Sequence, residues 1–301
     1  MDGKDLLRRL QQILNEDEDS SWLDEQSSYD YLYEAAKRVV DRTGCLRSSQ
    51  DITTVADDDE YDLNPDFMRL YARNKDGNYY VRLNDGDNNH FLTWKDYEDI
   101  IYDDNTTSVT IPSRFSIIDT AKSTQVTGTA TSTAAASAGE CTLTDTAADF
   151  STVNAGAIIH NTTDDSDGVV LSKTSSTALV VALFSGTAND WTEDDAYVIQ
   201  PQSRYQIYLD PPPSTADYTL TVPYIQQPGP VYSDYGIYRF LDQYKDAMVK
   251  YAFWLYKYRD KEPDFGDAMY KFWDMEMSRN AYSINRGQRP GGFKVNLKKR
   301  Q

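Results

Sequence analysis

Apolar side chains near the N-terminus recur at helical spacing. Residues 4–14 (KDLLRRLQQIL) and 27–43 each place leucine, isoleucine, valine, alanine or tyrosine three or four positions apart. Each segment therefore predicts an amphipathic helix that packs through one face. Ser27 or Ser28 is the expected N-cap of the second helix, and Gly44 is the expected left-handed residue that ends it.

The C-terminal third of the chain repeats this pattern. Apolar residues three, four and seven positions apart predict a long helix that begins near Gly236 and continues to about Tyr258. The tripeptide Lys261-Glu262-Pro263 interrupts the pattern. A last helix is predicted over 264–283. The residues expected along one side of it are Phe265, Ala268, Met269, Phe272, Trp273 and Glu276.

Alternation of apolar and polar residues marks part of the first half as β-structure. Segments 67–73 and 79–83 flank Asp76-Gly77, and this arrangement predicts a hairpin. Further short elements are predicted as a helix at 94–101 and strands at 109–112 and 114–119.

The most regular alternation lies in 204–228, RYQIYLDPPPSTADYTLTVPYIQQP. The odd-numbered residues of 205–209 share one face, and so do the even-numbered residues of 218–222, which predicts an antiparallel hairpin around the prolines. Asp210 has no base beside it in the sequence, so we expect this stretch to serve as scaffold and inter-subunit surface. The residues expected at that surface are Tyr205, Tyr208, Tyr218 and Tyr224.

Composition changes abruptly at about residue 120. Residues 121–200 are rich in Thr, Ala, Ser and Gly, and they contain apolar runs such as ALVVALF and AYVI between turn residues. This spacing favours an all-β sandwich or barrel, and the apolar runs argue against a disordered linker. Removing the segment would join strand 114–119 to the strand that starts at Tyr205, as expected for a domain inserted at a loop tip.

Together these elements predict an α+β chain. Its core is expected to be a helical bundle of about four helices with a small antiparallel β-element, interrupted by an inserted all-β domain of sandwich or barrel type. The expected divisions are 1–120 and 203–285 for the two parts of the core, 121–202 for the inserted domain and 286–301 for a basic tail.

Composition and charge narrow the classes of function. Aromatic residues make up 13% of the chain, including 23 tyrosines, so the chain is folded and suited to burying surface against other proteins. The net charge of −18 argues against binding DNA through the bulk surface. We expect a soluble protein made in a cytosol, because secretory and membrane-spanning patterns are missing. Free thiols are expected, since Cys45 and Cys141 fall in different predicted domains.

Motifs for catalysis do not stand out. His90 and His160 lack a second histidine or a cysteine at ligand spacing, so we expect no zinc site. The acidic turn 162–168 fails as a calcium loop, because threonine occupies both end positions of the motif. A looser calcium site stays open as an alternative, formed by Asp164, Asp165 and Asp167. We expect no cofactor, no metal and no enzymatic activity.

The C-terminal tail differs in charge from the rest of the chain. Residues 286–301 hold six basic residues and no acid, against the net charge of −18 for the whole chain. Three apolar residues alternate with polar ones in FKVNL, which suits a β-strand added to another protein. A nucleic-acid arm and a disordered solubility tail are the alternatives. The tail residues expected to bind a partner are Arg286, Arg289, Phe293, Lys294, Val295, Leu297, Lys298, Lys299 and Arg300.

Several of these segments resemble the head–tail connector (adaptor) proteins of tailed bacteriophages. The segments are the N-terminal helix pair LLRRLQQIL and YDYLYEAAKRVV, the strand PSRFSIID, the stretch 204–228 and the final helices that begin FLDQYKDAM. The resemblance covers about 1–120 and 201–301. Minimal connectors lack the segment 121–200. Sequences similar to its stretches TLTDTAADF and AGAIIHN nevertheless recur among phage structural proteins.

This resemblance implies a function in assembly. Connectors form a ring, here expected to hold twelve subunits, below the portal protein at the virion neck, after synthesis in the host bacterial cytoplasm. The tail 286–301 would bind the portal, a tail or nozzle protein would lie on the other side, and DNA would pass through the lumen as cargo, without any membrane. Residues 121–202 are a candidate contact for tail fibres.

Two other classes of function stay open. The chain could be a carbohydrate- or receptor-binding phage structural protein that acts through the β-domain, with Phe184, Trp191 and Tyr197 as a stacking surface for sugars. It could also be a hydrolase of cell-wall or surface polysaccharide, which would require a catalytic carboxylate.

Overall fold

The computed structural model describes most of the chain. The described residues are 2–15, 24–71, 79–102, 107–119, 124–200, 202, 204–240, 242–259 and 263–286, with the backbone alone at 102, 263–265 and 279–286. The helices are α1 (Gly3–Leu14), α2 (Glu25–Thr43), α3 (Tyr97–Tyr102), α4 (Lys245–Arg259) and α5 (Pro263–Arg286). The strands are β1 (Arg47–Thr53), β2 (Glu60–Asp62), β3 (Phe67–Leu70), β4 (Arg82–Asn84), β5 (Asn89–Phe91), β6 (Thr93–Trp94), β7 (Arg114–Asp119), β8 (Val126–Thr129), β9 (Cys141–Thr144), β10 (Ile158–Asn161), β11 (Ser166–Ser175), β12 (Ala178–Phe184), β13 (Ala196–Ile199), β14 (Tyr205–Asp210) and β15 (Thr219–Gln226).

The prediction of a helical-bundle core is wrong. The described residues form a mixed α+β fold that is mostly β, with three sheets and short helices. The four longer helices, α1, α2, α4 and α5, share one core with side chains of β11 and β12, and two further cores lie within the sheets. Sequence periodicity underestimated the sheets because β2 to β6 are two to four residues long, which is too short to show alternation.

The first two helices form where their apolar spacing predicts them. The start of α2 differs from the prediction, because Asp24 is its N-cap and accepts a hydrogen bond from the N–H of Ser27. Gly44 ends α2 as predicted, with a φ of 61° that suits a residue without a side chain.

The start of α4 corrects the predicted helix 236–258. Residues 236–240 are not helical and lie beside the N-terminus, where Ile237 bridges to Asp2 and the N–H of Gly3 donates to the C=O of Gly236 at 3.0 Å. Tyr238 and Phe240 are nevertheless buried in the core of the helical layer. Their apolar character therefore serves packing without helix formation, and α4 begins only at Lys245.

Two sheets enclose a second core. The four-stranded sheet has the order β2-β14-β7-β6, and the five-stranded sheet has the order β1-β15-β4-β5, with β3 also paired to β15. Side chains of both sheets are buried between them, including Phe115, Leu209, Leu220 and Val222. These two sheets therefore stabilise each other by burying apolar surface.

Strands β14 and β15 form, but they do not pair with each other. β14 lies between β2 and β7, whereas β15 pairs with β1 on one edge and with β3 and β4 on the other. The predicted hairpin 204–228 is therefore wrong, and its proline-rich bend carries the chain from one sheet to the other. Pro223 is tolerated in this central strand because it lies between the residues that pair with β4 and those that pair with β3.

The other predicted hairpin, 67–73 with 79–83, is only partly described, because 72–78 lie outside the described residues. β3 and β4 each pair with β15 instead of with each other. The predicted turn Asp76-Gly77 lies outside the described residues. The predicted strand 109–112 is reduced to one isolated bridge between Val109 and Pro213.

The third sheet is built from residues between 126 and 199. Its six strands have the order β8-β13-β10-β11-β12-β9 and curl into a half-barrel, in which the N–H of Thr131 donates to the C=O of Thr144 at 2.7 Å. The strands on either side of this segment, β7 and β14, pair with each other from Asp119 and Tyr205 onward. The exact domain limits stay predictions.

Candidate assembly surfaces

Each histidine pairs with one aspartate at the surface. Nε2 of His90 lies 2.8 Å from Oδ2 of Asp85, and Nδ1 of His160 lies 2.5 Å from Oδ1 of Asp167. The pKa of Asp85 is lowered to about 2, first by the backbone N–H of Asn88 and then by His90. Within the described ranges, groups of three or more His, Cys, Asp or Glu side chains that could hold a metal ion are absent.

The three aspartates of the alternative calcium site do not converge. Asp167 faces His160, while Oδ2 of Asp164 accepts a hydrogen bond from the amide of Asn161 at 3.2 Å. Asp165 occupies the left-handed region with a φ of 56°, as in a tight turn. These residues therefore close the turn between β10 and β11.

The half-barrel packs on the helices through an aromatic contact. Phe184 at the end of β12 lies 6.5 Å from Tyr29 of α2 and 6.2 Å from Tyr232, measured between ring centroids. The hydroxyl of Tyr232 donates to Oδ1 of Asp30 at 2.6 Å. Burial, followed by this bond to a carboxylate, raises the pKa of Tyr232 above its ordinary value, so the phenol stays neutral.

The aromatic residues proposed as a sugar-stacking surface are all buried. Trp191 is 0% exposed, Tyr197 is 1% exposed and Phe184 is 8% exposed. Trp191 and Tyr197 fill the half-barrel interior, with ring centroids 6.2 Å apart, and the hydroxyl of Tyr197 donates to the buried Asp145 at 2.8 Å. A sugar cannot stack on side chains that the fold already covers.

The four tyrosines expected between subunits occupy different environments. Tyr205 is 41% exposed and packs against Phe67, and Tyr208 and Tyr218 are half-buried. Tyr224 is 1% exposed, and its hydroxyl donates to Oδ1 of Asp66 at 2.8 Å. Tyr224 therefore belongs to the interior of the chain. Tyr205 has the largest exposed fraction of the four tyrosines.

Helix α5 has two apolar faces. Trp273 and Met277 are buried against the rest of the helical layer. On the far side, Ala268, Phe272 and Met275 follow the i, i+4, i+7 spacing of a packing face but are exposed. Phe272 is 53% exposed and Met275 is 46% exposed, so we name these three residues the α5 stripe.

Helical periodicity predicted Ala268, Phe272 and Trp273 on a single side of this helix, so it did not predict the α5 stripe. At 100° per residue, Phe272 and Trp273 cannot both lie at the centre of one face. That conflict in the sequence is the signal that α5 needs a second partner.

An aromatic cluster fixes α5 against α4. Ring centroids are 4.8 Å apart for Tyr251 and Trp273, and 4.9 Å apart for Trp254 and Tyr270. Nζ of Lys250 also lies 2.5 Å from Oε2 of Glu276. These contacts hold the α5 stripe at a fixed place on the body, which a binding surface requires.

The basic tail begins at the end of α5. Arg286 is the last residue of the helix, and its side chain is not described. The other predicted tail residues lie outside the described residues: Arg289, Phe293, Lys294, Val295, Leu297, Lys298, Lys299 and Arg300. The α5 stripe and the basic tail therefore belong to one continuous segment of the chain.

In the part of the chain that the structure describes, every helix is too short or too polar to cross a bilayer. Comparison with protein-family models gives no match, and comparison with curated proteins gives none either. A family assignment therefore does not follow from these two comparisons.

Proposed function

We propose that this chain is a structural protein of a tailed-bacteriophage particle, acting as a head–tail connector that joins the capsid vertex to the tail. The resemblance of its helical and strand segments to connectors supports this function. The observation that carries it furthest is the α5 stripe. An exposed apolar face at helical packing spacing suits contact with a neighbouring copy of the chain, and head-to-tail contacts form a ring where the rotation between copies closes.

The proposed ring holds twelve subunits below the portal protein at the virion neck. The basic tail binds the portal, a tail or nozzle protein lies on the opposite side, and residues 121–202 are available to tail fibres. The net charge of −18 supports a lumen that passes DNA without retaining it. In this proposal the chain acts by assembly, without catalysis and without a membrane.

One experiment tests the α5 stripe. Purified chain is added to purified portal protein, and the number of bound subunits is counted by native mass spectrometry and electron microscopy. We expect a closed ring with the unchanged chain, and incomplete rings with Phe272→Ser/Met275→Ser. The matched control is Phe91→Ser, which removes an aromatic residue that is 64% exposed elsewhere on the surface. Complete rings with the α5 variant would contradict the proposal.

Two further measurements test the place of the chain in the particle. Deletion of 286–301 is expected to abolish portal binding while the body stays folded, as its circular dichroism spectrum would show. A labelled chain is expected at the neck of the particle in electron micrographs. A label found in the capsid shell or at the fibre tips would end the connector proposal.

A further inference from the structure

Strand β1 leaves one edge of the five-stranded sheet open. It pairs with β15 alone among the described strands. The N–H of Gln226 donates to the C=O of Leu46, and the N–H of Thr54 donates to the C=O of Tyr218. The even-numbered residues of β1 therefore bond to β15, and antiparallel geometry directs the N–H and C=O groups of the odd-numbered residues away from the sheet.

The open edge is accessible along its length. Ser49, Asp51 and Thr53 are exposed, and no described residue supplies a partner for their backbone N–H and C=O groups. Natural proteins cover, charge or shorten such edges, because an open edge accepts another strand. A seven-residue edge with this geometry fits an extended peptide, whose main chain would continue the sheet.

The core beneath this edge is also incomplete. Ile52 packs against the core between the two sheets but is only partly buried, and the side chain of Gln50 crosses to donate to the C=O of Asp62 at 3.0 Å. An added strand would place alternate side chains over Ile52, so that face should be apolar. The carboxylate of Asp51 is exposed at this edge, and that of Asp62 is exposed nearby, 3.8 Å from Nη1 of Arg204. We call these two carboxylates the acidic rim, and basic residues in an added strand would find a counter-charge there at Asp51.

The tail of this chain has both properties. Phe293, Val295 and Leu297 alternate with Lys294 and Asn296 in the segment 293–297. Residues 287–301 contain five basic residues and no acid. Apolar side chains on one face and basic side chains in the same segment match the partly covered core and the acidic rim of the β1 edge.

The tail starts within reach of β1. Nη2 of Arg42, next to the end of α2, lies 3.1 Å from Oδ1 of Asp274 on α5, and α2 leads through Gly44 into β1. From Asp274 to the end of α5 the helix advances by about 18 Å. The residues 287–292 that follow extend up to about 20 Å and include Pro290-Gly291-Gly292, which suits a reversal of direction.

We infer that in the isolated chain the tail segment 293–297 docks as an added strand on the open edge of β1 of the same molecule. The contact covers the unpaired backbone groups of Ser49, Asp51 and Thr53 and neutralises part of the acidic rim. This inference goes beyond the proposed function and does not depend on the identity of any partner of the assembled protein.

Amide hydrogen exchange, resolved by residue with NMR, tests the inference. The full chain is compared with the chain that ends at Arg286. We expect the amides of Ser49, Asp51 and Thr53 to exchange about tenfold or more slowly in the full chain. The amides of Gln50 and Ile52 bond to β15 and are expected to be unchanged, so they report whether the sheet itself stays folded.

A pair of proline variants separates strand pairing from charge. Val295→Pro/Asn296→Pro removes two adjacent N–H groups, one of which faces β1 in either register, and keeps every basic residue, so protection of Ser49, Asp51 and Thr53 should fall to that of the truncated chain. Gln288→Pro, which lies before the docking segment, should keep full protection. Unchanged protection in Val295→Pro/Asn296→Pro, or equal exchange in the full and truncated chains, would overturn the inference.

Dilution identifies which molecule supplies the tail. Protection that stays constant when the protein is diluted supports docking within one molecule. Protection that disappears on dilution would assign the occupant to a second copy and overturn the inference as stated.

Discussion

The ring of Phe184, at the end of β12, packs 6.2 Å from the ring of Tyr232, which precedes α4. Tyr29 of α2 completes this cluster, with its ring centroid 5.9 Å from that of Tyr232. Three parts of the chain that are distant in sequence therefore share one buried contact. The half-barrel is packed into the same core as the helices and is not tethered beside them by its connecting strands alone.

Phe184→Ala should destabilise the whole chain. The side chain is 8% exposed, and its removal leaves a cavity between the half-barrel and the helices. We expect the free energy of unfolding, measured by urea denaturation, to fall by about 3 kcal/mol. Phe91→Ala is the control, because that ring is 64% exposed. Equal losses for the two variants would contradict the packing argument.

Removal of one partner of the ion pair between Arg114 and Asp210 should destabilise the folded chain. Nη2 of Arg114 lies 2.5 Å from Oδ2 of Asp210, whose side chain is 3% exposed. Asp210→Asn removes the negative charge of this pair from a buried position, and we expect the free energy of unfolding to fall by about 3 kcal/mol. The double variant Arg114→Met/Asp210→Leu should recover part of that loss in the same denaturation experiment. A double variant less stable than Asp210→Asn would disprove this reasoning.

Gly168→Ala should disrupt the pairing of β11 with β12. A methyl group at this position would overlap the C=O of Ala182 and approach Cδ2 of Leu183 to 2.6 Å. We expect the free energy of unfolding to fall by about 2 kcal/mol or more, measured by thermal and urea denaturation. Gly229→Ala is the matched control, because no heavy atom lies within 4 Å of the added methyl group. Similar stability of the two variants would refute the steric argument.

The thiols should react slowly while the protein is folded. Burial, and then the charge of Asp190, raises the pKa of Cys141 to about 12, and burial also raises the pKa of Cys45. At a pH of about 8 little thiolate is present in the folded chain, so alkylation by iodoacetamide should be slow, and slower for Cys141 than for Cys45.

The raised pKa values of the two thiols make the free energy of unfolding depend on pH. An unfolded thiol ionises near a pH of about 8.5, so the folded state loses relative stability as the pH rises above that value. Cys45→Ser leaves Cys141 as the sole thiol, and its labelling by mass spectrometry should be slow in buffer and fast in urea. Fast labelling of this variant in buffer would contradict the burial of Cys141.

Local sequence patterns predicted individual helices and strands better than they predicted which strands pair with each other. The alternation in 205–209 identified β14, and the helical spacing in 4–14 identified α1, because these signals depend on neighbouring residues. Pairing depends on residues far away in sequence. β15 follows the alternation of a hairpin arm, yet its longest partner is β1, with Thr53 opposite Thr219.

Some features of the candidate surfaces could not be derived from the sequence. Trp191 and Tyr224 are amphipathic aromatic residues that suit either a surface or an interior, and the distant partners that bury them were unknown. The α5 stripe could have been predicted from the sequence, because Phe272 and Trp273 are adjacent in a helix and cannot both face the same neighbour. The open edge of β1 required the sheet order, which local patterns do not contain.

The pairing of β1 with β15 also sets the order of events during synthesis. The hydroxyl of Thr221 bonds to the carboxylate of Asp51 across 170 residues of sequence. At a translation rate of about 5–20 residues per second, β15 is synthesised on the order of ten seconds or longer after β1. During that interval both edges of β1 are available to wrong strands, so we expect the nascent chain to depend on chaperones until β15 is complete.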